Sequence, residues 1–392
     1  MKIGVHCFPL KADIGGMKQY FHTLFGELLA RDRANEYVFF YQEKNAEELA
    51  RLPERWRENA VRLDKPRELK RHLRGLDLYF SPFIVLKPRP LPLPTVVMVP
   101  DNQEVFFPDF FPPEKHYNRA WHFRGSARMA DRVLTLSEFS KNALAEHYAL
   151  PREKISVAHL CAAPCFFEAE ALARRPEVPL PGRPFLFYPA NRWRHKNHDG
   201  LLRALRLLAD KGRAVDLVLT GHDVPNGYPA RQKAGEYGVG GRVYSVGYVD
   251  EAELAWLYRN AAMTVFPSLF EGFGLPLVEA MAAGCPVAAS NAGSIPEVGG
   301  DAVESFDPRD PAAIAGAVER LLDDPSLRAE RVERGRQRAR DFSPQRLAEI
   351  HLRAFAEARE AYRPWRYAWN ALAYGPWHAW STARKYPGLK AR

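Results

Sequence analysis

A chain of 392 residues with 46% hydrophobic and 26% charged side chains is ordinary globular protein, too long for one core, since single cores stop growing near roughly 250–300 residues. Its net charge of +9 gathers toward the C-terminus and leaves a mildly basic body with no helix-turn-helix, zinc-finger or RNA-recognition pattern, which argues against a nucleic-acid partner. No apolar run approaches the ~18 residues of a membrane span, and the four cysteines (Cys7, Cys161, Cys165, Cys285) form no C-x-x-C pair, so structural thiols in a reducing cytoplasm are expected.

The opening MKIGVHCFPL lacks the long apolar region and small-residue cleavage site of a signal peptide and predicts a first buried strand. LKADIGGMKQY then turns at a glycine pair into a helical pattern through Tyr20, Leu24 and Leu28. YVFFY at 37–41 predicts a second strand, and the Arg-rich segment 51–74 has a helical rhythm. LDLYFSP and TVVMVPD are short apolar runs that stop at turn residues. RVLTLSEFSKNALAEHYAL predicts strand, turn and helix, with Ser137 as the N-cap.

Residues 168–184 carry four prolines and few aromatics, which predicts a linker. Alternation then resumes: PFLFYPA, VDLVLTG, RVYSVGYV, TVFPS and CPVAAS as strands, with NHDGLLRALRLLADKG, DEAELAWLYRNA and LPLVEAMAAG as helices. Strand and helix alternating throughout predict an α/β protein with parallel sheets. Two such halves predict a cleft between domains, where ligand sites concentrate. The expected organisation is 1–170, 171–345, and a C-terminal segment 346–392 whose helix returns to the first domain.

The stretch EGFGLPLVE, from Glu271 to Glu279, sets two carboxylates around a glycine turn and a helix start. Pro276 suits the first helical turn and Gly284 the helix end. Gly272 and Gly274 then lie between a strand's C-terminal end and a helix N-terminus, where amides and the helix dipole favour an anion. A carboxylate accepts two O–H donors and so suits a vicinal diol. An acid, an anion site and a second acid match the diol, diphosphate and diol of a nucleotide sugar. A D-x-D metal motif is absent, and NRWRHKN at 191–197 offers Lys196 with Arg192 or Arg194 to neutralise the diphosphate instead. His195 and His198 stand at i, i+3 without further zinc ligands nearby, so no metal and no cofactor are expected.

Through these residues the chain resembles the retaining GT-B glycosyltransferases of family four. SLFEGFGLPLVEAMAAGCPVAASNAGSIPEVGGDA resembles their signature, YPANRWRHKNHDGLLRAL their phosphate-binding segment, and SVGYVDEAELAWLYRNA, with Gly247, Tyr248 and Val249, their nucleotide-binding stretch. LTLSEFSKNAL and IGGMKQY are similar to their N-terminal domain. The resemblance implies a GT-B fold of two Rossmann-like domains facing a cleft, acceptor on the first and donor on the second. Glu279 would bind the ribose; Glu271, with Gly272, Phe273, Gly274 and Leu275, would meet the donor sugar. Gly15 and Gly16 would approach the donor phosphate or the acceptor, the alternative being a plain turn into a helix. Two departures stand out. Relatives carry Arg where Asn191 stands, and often His-Asp where this chain has Pro100-Asp101, leaving Asp101 as either an acceptor contact or a turn residue.

The expected activity is transfer of a hexose from a nucleotide sugar to a hydroxyl of a glycan or lipid-linked acceptor, with retention and without metal. The alternatives are a GT-B sugar-nucleotide epimerase and a non-catalytic GT-B partner subunit. In the tail, residues 363–392 hold six Lys or Arg, no Asp or Glu, and four of the eight Trp. Trp365, Trp369 and Leu372 share a helical face; Gly375-Pro376 is expected to break the rhythm before Trp377 and Trp380 resume it. Such a segment either binds an anionic membrane surface, giving a cytoplasmic protein peripheral on the inner membrane face, or packs onto the first domain.

Overall fold

The computed structural model describes residues 1–11, 15–224 and 227–385. Ala12, Asp13 and Ile14 of the glycine-turn segment, and Lys390 and Arg392 of the basic tail, lie outside the described residues. The chain divides into two compact units, Met1–Leu160 with Pro344–Arg392, and Cys161–Ser343. Both are three-layer α/β units with wholly parallel sheets, the architecture that alternating strand and helix patterns dictate.

The first unit holds β1 (Lys2–His6), β2 (Glu36–Tyr41), β3 (Ala60–Arg62), β4 (Leu78–Ser81), β5 (Thr95–Met98), β6 (Arg132–Thr135) and β7 (Ile155–Val157), ordered β3-β2-β1-β4-β5-β6-β7. Its central strands are buried on both faces, as parallel strands between helical layers must be, and so read as largely apolar runs with polar residues at their ends. The helix Gly16–Arg31 buries Tyr20, Phe21, Leu24, Phe25, Leu28 and Leu29. The helix Pro344–Ala361 packs beside it, and the Tyr20 hydroxyl donates to His351 Nε2 at 2.6 Å. Burial lowers the His351 pKa to about 4 and keeps its ring neutral, so Nδ1–H can donate to the Leu347 carbonyl while Nε2 accepts. Ser137 caps the helix Glu138–Tyr148 by accepting from the Ser140 amide at 3.0 Å.

Two expectations are corrected here. Segment 51–74 is not one helix: it forms 3-10 turns at Glu54–Asn59 and Pro66–His72 around the edge strand β3. Pro53 and Pro66 restart the chain before each turn, and β3 pairs with β2. In the tail, Gly375-Pro376 does not break the helix. Helical structure runs from Pro364 to Lys385 through a π-turn at Asn370–Tyr374. Proline cannot donate and crowds the carbonyl four residues back, and a π-turn just before it absorbs both defects. The Gly375 amide bonds the Asn370 carbonyl, and a Cβ at Gly375 would stand 2.8 Å from that oxygen, so the turn admits only glycine comfortably.

The second unit holds β8 (Phe185–Pro189), β9 (Asp216–Thr220), β10 (Val243–Gly247), β11 (Met263–Phe266), β12 (Val287–Ser290) and β13 (Glu304–Phe306), ordered β10-β9-β8-β11-β12-β13. The chain winds outward from β8 to β10 and then returns to pair β11 beside β8, with Met263 opposite Leu186. Ligands of open α/β sheets bind at such a reversal, outside the C-terminal strand ends.

Candidate functional site

Two loops leave the sheet at that reversal. Asn191–Asn197 follows β8, and the segment 267–274 follows β11. They are tied together at three points. The Leu269 amide donates to the His195 carbonyl at 2.8 Å. The Tyr188 hydroxyl lies 2.9 Å from the Lys196 carbonyl and 3.0 Å from Ser268 Oγ. Asn197 Nδ2 donates to the carbonyls of Pro267 and Pro308 at 3.0 and 2.7 Å. Asn197 is left-handed, with φ +56°, and its Oδ1 accepts from the Gly200 amide to cap the helix His198–Asp210. Asparagine is among the few residues that combine a left-handed backbone with a capping oxygen. Asn197→Ala removes three hydrogen bonds and strains the backbone, so we expect a loss of about 2–3 kcal/mol in stability, read as a lowered thermal midpoint. An unchanged midpoint would show that this clamp is not what holds the loops.

The outcome of the clamp is an ion pair. Lys196 Nζ donates to Glu271 Oε1 at 2.7 Å, with the two side chains only 16% and 11% exposed. The Glu271 backbone is gripped as well, because Ser294 Oγ donates to its carbonyl at 3.0 Å. Gly293, φ +63°, approaches so closely that a Cβ would stand 3.0 Å from the Glu271 nitrogen. Gly274, φ +94°, then turns the chain into the helix Leu275–Ala282. Gly272, Phe273 and Leu275 are buried around that turn, with the Phe273 ring edge-on to Phe342 at 5.5 Å.

Glu279 lies one turn into that helix and is buried. The Tyr258 hydroxyl, on the helix Glu251–Asn260, donates to Glu279 Oε2 at 3.0 Å. Burial, then the Glu279 charge, raise the Tyr258 hydroxyl well above its ordinary pKa, so it remains a donor. Gly247 ends β10 and Tyr248 and Val249 follow it, two strands from β8 and so about 10 Å away. Gly247 accepts at its carbonyl from the Gly221 amide, Tyr248 is exposed and stacks on His222 at 5.3 Å, and Val249 is half-buried.

The structure corrects the expectation for Arg192. It is 2% exposed, and its Nη1 donates to the carbonyls of Ala190 and Thr220 at 2.6 and 2.8 Å, fastening the exits of β8 and β9. Main-chain carbonyls left unpaired at those strand ends claim the guanidinium. Arg194 remains at the surface in the turn Arg194–Lys196. Asn191 accepts from the His222 amide at 2.7 Å, also a structural tie. His198 is buried, and burial with the Arg192 and Lys196 charges pushes its pKa well down, so it contributes a neutral ring. Among the described residues no three of His, Cys, Asp or Glu are grouped to hold a metal ion.

In the first unit, Gly15 caps the helix Gly16–Arg31 at φ +54°, a conformation that disfavours any side chain. Asp101 accepts from the Gln103 amide at 3.1 Å and lies 4.0 Å from Arg119 Nη1, which is the turn-forming arrangement. Sequence reasoning did not single out Ser294, Gly293, Asn197 or Tyr258. Each acts through a partner distant in the chain, and only the small residues of NAGS after CPVAAS hinted at a close approach.

Residues 172–338 match the family model for glycosyl transferases group 1, and residues 14–164 match that for glycosyltransferase family 4. Between them the two matches take in most of the chain, which belongs to the group 1 glycosyl transferases of GT-B fold. It is 32% identical over 240 residues to the O-antigen chain mannosyltransferase B of Escherichia coli, covering 60% of this chain and 63% of that protein. It is 31% identical over 245 residues to the MMP alpha-(1->4)-mannosyltransferase of Mycolicibacterium hassiacum, covering 59% and 55%. The chain thus spans less than two thirds of these relatives. HepE from Anabaena, solved in complex with UDP and glucose, shares the fold with a TM-score of 0.66 at 15% identity, covering 91% of this chain and 99% of that one.

Proposed function

We propose that this protein is a retaining hexosyltransferase that moves a sugar from a nucleotide-sugar donor to a hydroxyl of a glycan or lipid-linked acceptor without a metal ion. The observation that carries the reading is the Lys196–Glu271 pair, closed at 2.7 Å across the reversal point of the second unit's sheet. A cation there neutralises charge that develops on a departing diphosphate, and a carboxylate there accepts from hydroxyls of the sugar. Glu279, oriented by Tyr258, accepts from the ribose diol. The bond from the anomeric carbon to the diphosphate oxygen breaks, the acceptor oxygen bonds that carbon on the same face, and the acceptor proton leaves with the diphosphate. Among the described residues no helix is long and apolar enough to cross a membrane. As part of the same proposal, a lipid-linked acceptor meets the enzyme at the cytoplasmic membrane face.

The test is release of nucleoside diphosphate from GDP- and UDP-hexoses, beginning with GDP-mannose because two relatives are mannosyltransferases. The full-length protein is assayed with and without a panel of lipid-linked acceptors. We expect acceptor-dependent release that survives EDTA, and thermal stabilisation by the matching diphosphate of about 2.7 kcal/mol at one hundred times its Kd. Release that requires Mg²⁺ or Mn²⁺ would overturn the metal-free mechanism; acceptor-independent conversion of the donor would point to the epimerase.

A further inference from the structure

The helical segment Pro364–Lys385 has one face against the first unit and one in solvent. On the inner face His378 and Thr382 are buried, His378 Nε2 lies 3.0 Å from the Trp121 carbonyl with their rings stacked, and Arg366 reaches Asp131 at 3.5 Å. On the outer face Trp365, Trp369, Leu372, Trp377 and Trp380 are 65, 60, 81, 49 and 58% exposed. Five large apolar side chains in one row are far more than scattered surface hydrophobics account for.

The π-turn makes that row. At about 100° per residue, an unbroken α-helix would carry Trp377 about 120° away from Trp365. The π-turn at Asn370–Tyr374 takes up one extra residue, which sets the following turns back by about 100°. All five side chains, and Arg384 beyond them, then fall within about 40° of the Trp365 direction. The same count puts Arg366, His378 and Thr382 on the opposite flank, where they are found packed.

We propose that this tryptophan stripe docks the protein on an anionic lipid bilayer, with the helix lying in the plane of the interface. The charge around it selects that occupant. Ala361–Lys385 contains no Asp or Glu; Arg366 is turned inward to Asp131, and Arg363, Arg384 and Lys385 are exposed at the two ends of the stripe. Arg384 sits over the Trp380 ring at 5.3 Å; burial raises the Tyr374 hydroxyl above its ordinary pKa, and Arg128 and Arg124 lie close enough to oppose that rise in part. Indole rings favour the headgroup level, and a row of cations beside them favours anionic lipid. A second copy seated stripe to stripe would bring like charges together, which disfavours a dimer through this face. The proposal rests on the transferase reading only for its purpose, delivery of the enzyme to a lipid-linked acceptor.

Flotation of the full-length protein with phosphatidylglycerol and phosphatidylcholine vesicles tests it. We expect at least tenfold preference for phosphatidylglycerol, a blue shift of tryptophan emission on binding, and weakening as salt rises. Trp369→Ser/Trp380→Ser should lose at least tenfold in vesicle binding while thermal midpoint and nucleoside-diphosphate binding stay as in wild type. Arg363→Glu/Arg384→Glu should lose the preference for anionic lipid. Failure of the wild type to float with phosphatidylglycerol at low salt would overturn the proposal. So would a double-serine variant that binds like wild type, or a wild-type dimer that this variant dissociates. Diphosphate binding without vesicle binding sinks the docking face alone, and the converse sinks the transferase reading alone.

Discussion

Lys196→Ala is expected to lower turnover by about 10²-fold or more and to weaken nucleoside-diphosphate binding. Removing one preorganised charge at a developing anion costs about 10²–10³-fold in comparable sites. The structure strengthens this expectation by reducing the cations available. Arg192, the nearest alternative, is committed to the carbonyls of Ala190 and Thr220. Arg194, on the surface of the turn, is the remaining Arg or Lys of the loop, beside His195. The measurement is steady-state kinetics together with diphosphate titration, with Arg192→Lys as the comparison. If Lys196→Ala keeps wild-type kcat and diphosphate affinity, the diphosphate is held elsewhere. Arg192→Lys should instead lower the thermal midpoint, because a single ammonium cannot reproduce the guanidinium's geometry at two strand ends.

Glu271→Gln is expected to lower turnover about as much, with the opposite effect on the product. In the free protein the carboxylate neutralises Lys196 at 2.7 Å. Donor binding must share or release that ammonium before a diphosphate can use it. The amide keeps the side chain's shape and removes the competing charge, so diphosphate affinity should hold or rise while kcat falls. Parallel titrations and kinetics of Lys196→Ala, Glu271→Gln and the double variant decide this. The coupling within the cycle should be large, since the two side chains touch. A Glu271→Gln enzyme with weakened diphosphate binding and normal kcat would refute the division of roles.

Much of this was legible in the chain itself. The strands were readable because parallel strands buried on both faces must be largely apolar, as in β4, β5 and β11, each of which carries a single Ser or Thr. Ser137 as a cap and Gly284 as a helix end followed from local backbone needs, confirmed by the Ser140 bond and a φ of +72°. The glycine turn between Glu271 and Glu279 was readable for the same reason. Segment 51–74 misled because arginine and leucine spacing suits a helix, while two prolines and pairing with β2 favour turns and an edge strand. The tail's break at Gly375-Pro376 misled because local rules treat proline as a stop, whereas one π-turn lets the helix pass.

The sequence by itself determined most of the strands and many of the helices, though not the edge strand β3 or the unbroken tail helix, as well as where the glycine turns fall and the spacing of the two acids, because these depend on contacts a few residues long. The tertiary structure decided which side chains meet. Lys196 and Glu271 are 75 residues apart and touch because the return of β11 to the side of β8 brings two strand exits together. Arg192 and Lys196 sit four positions apart in the same basic loop, yet one turns inward and the other reaches the acid. Unpaired carbonyls at two strand ends and an ionised carboxylate compete for the cations, and that competition exists only after the sheet has formed.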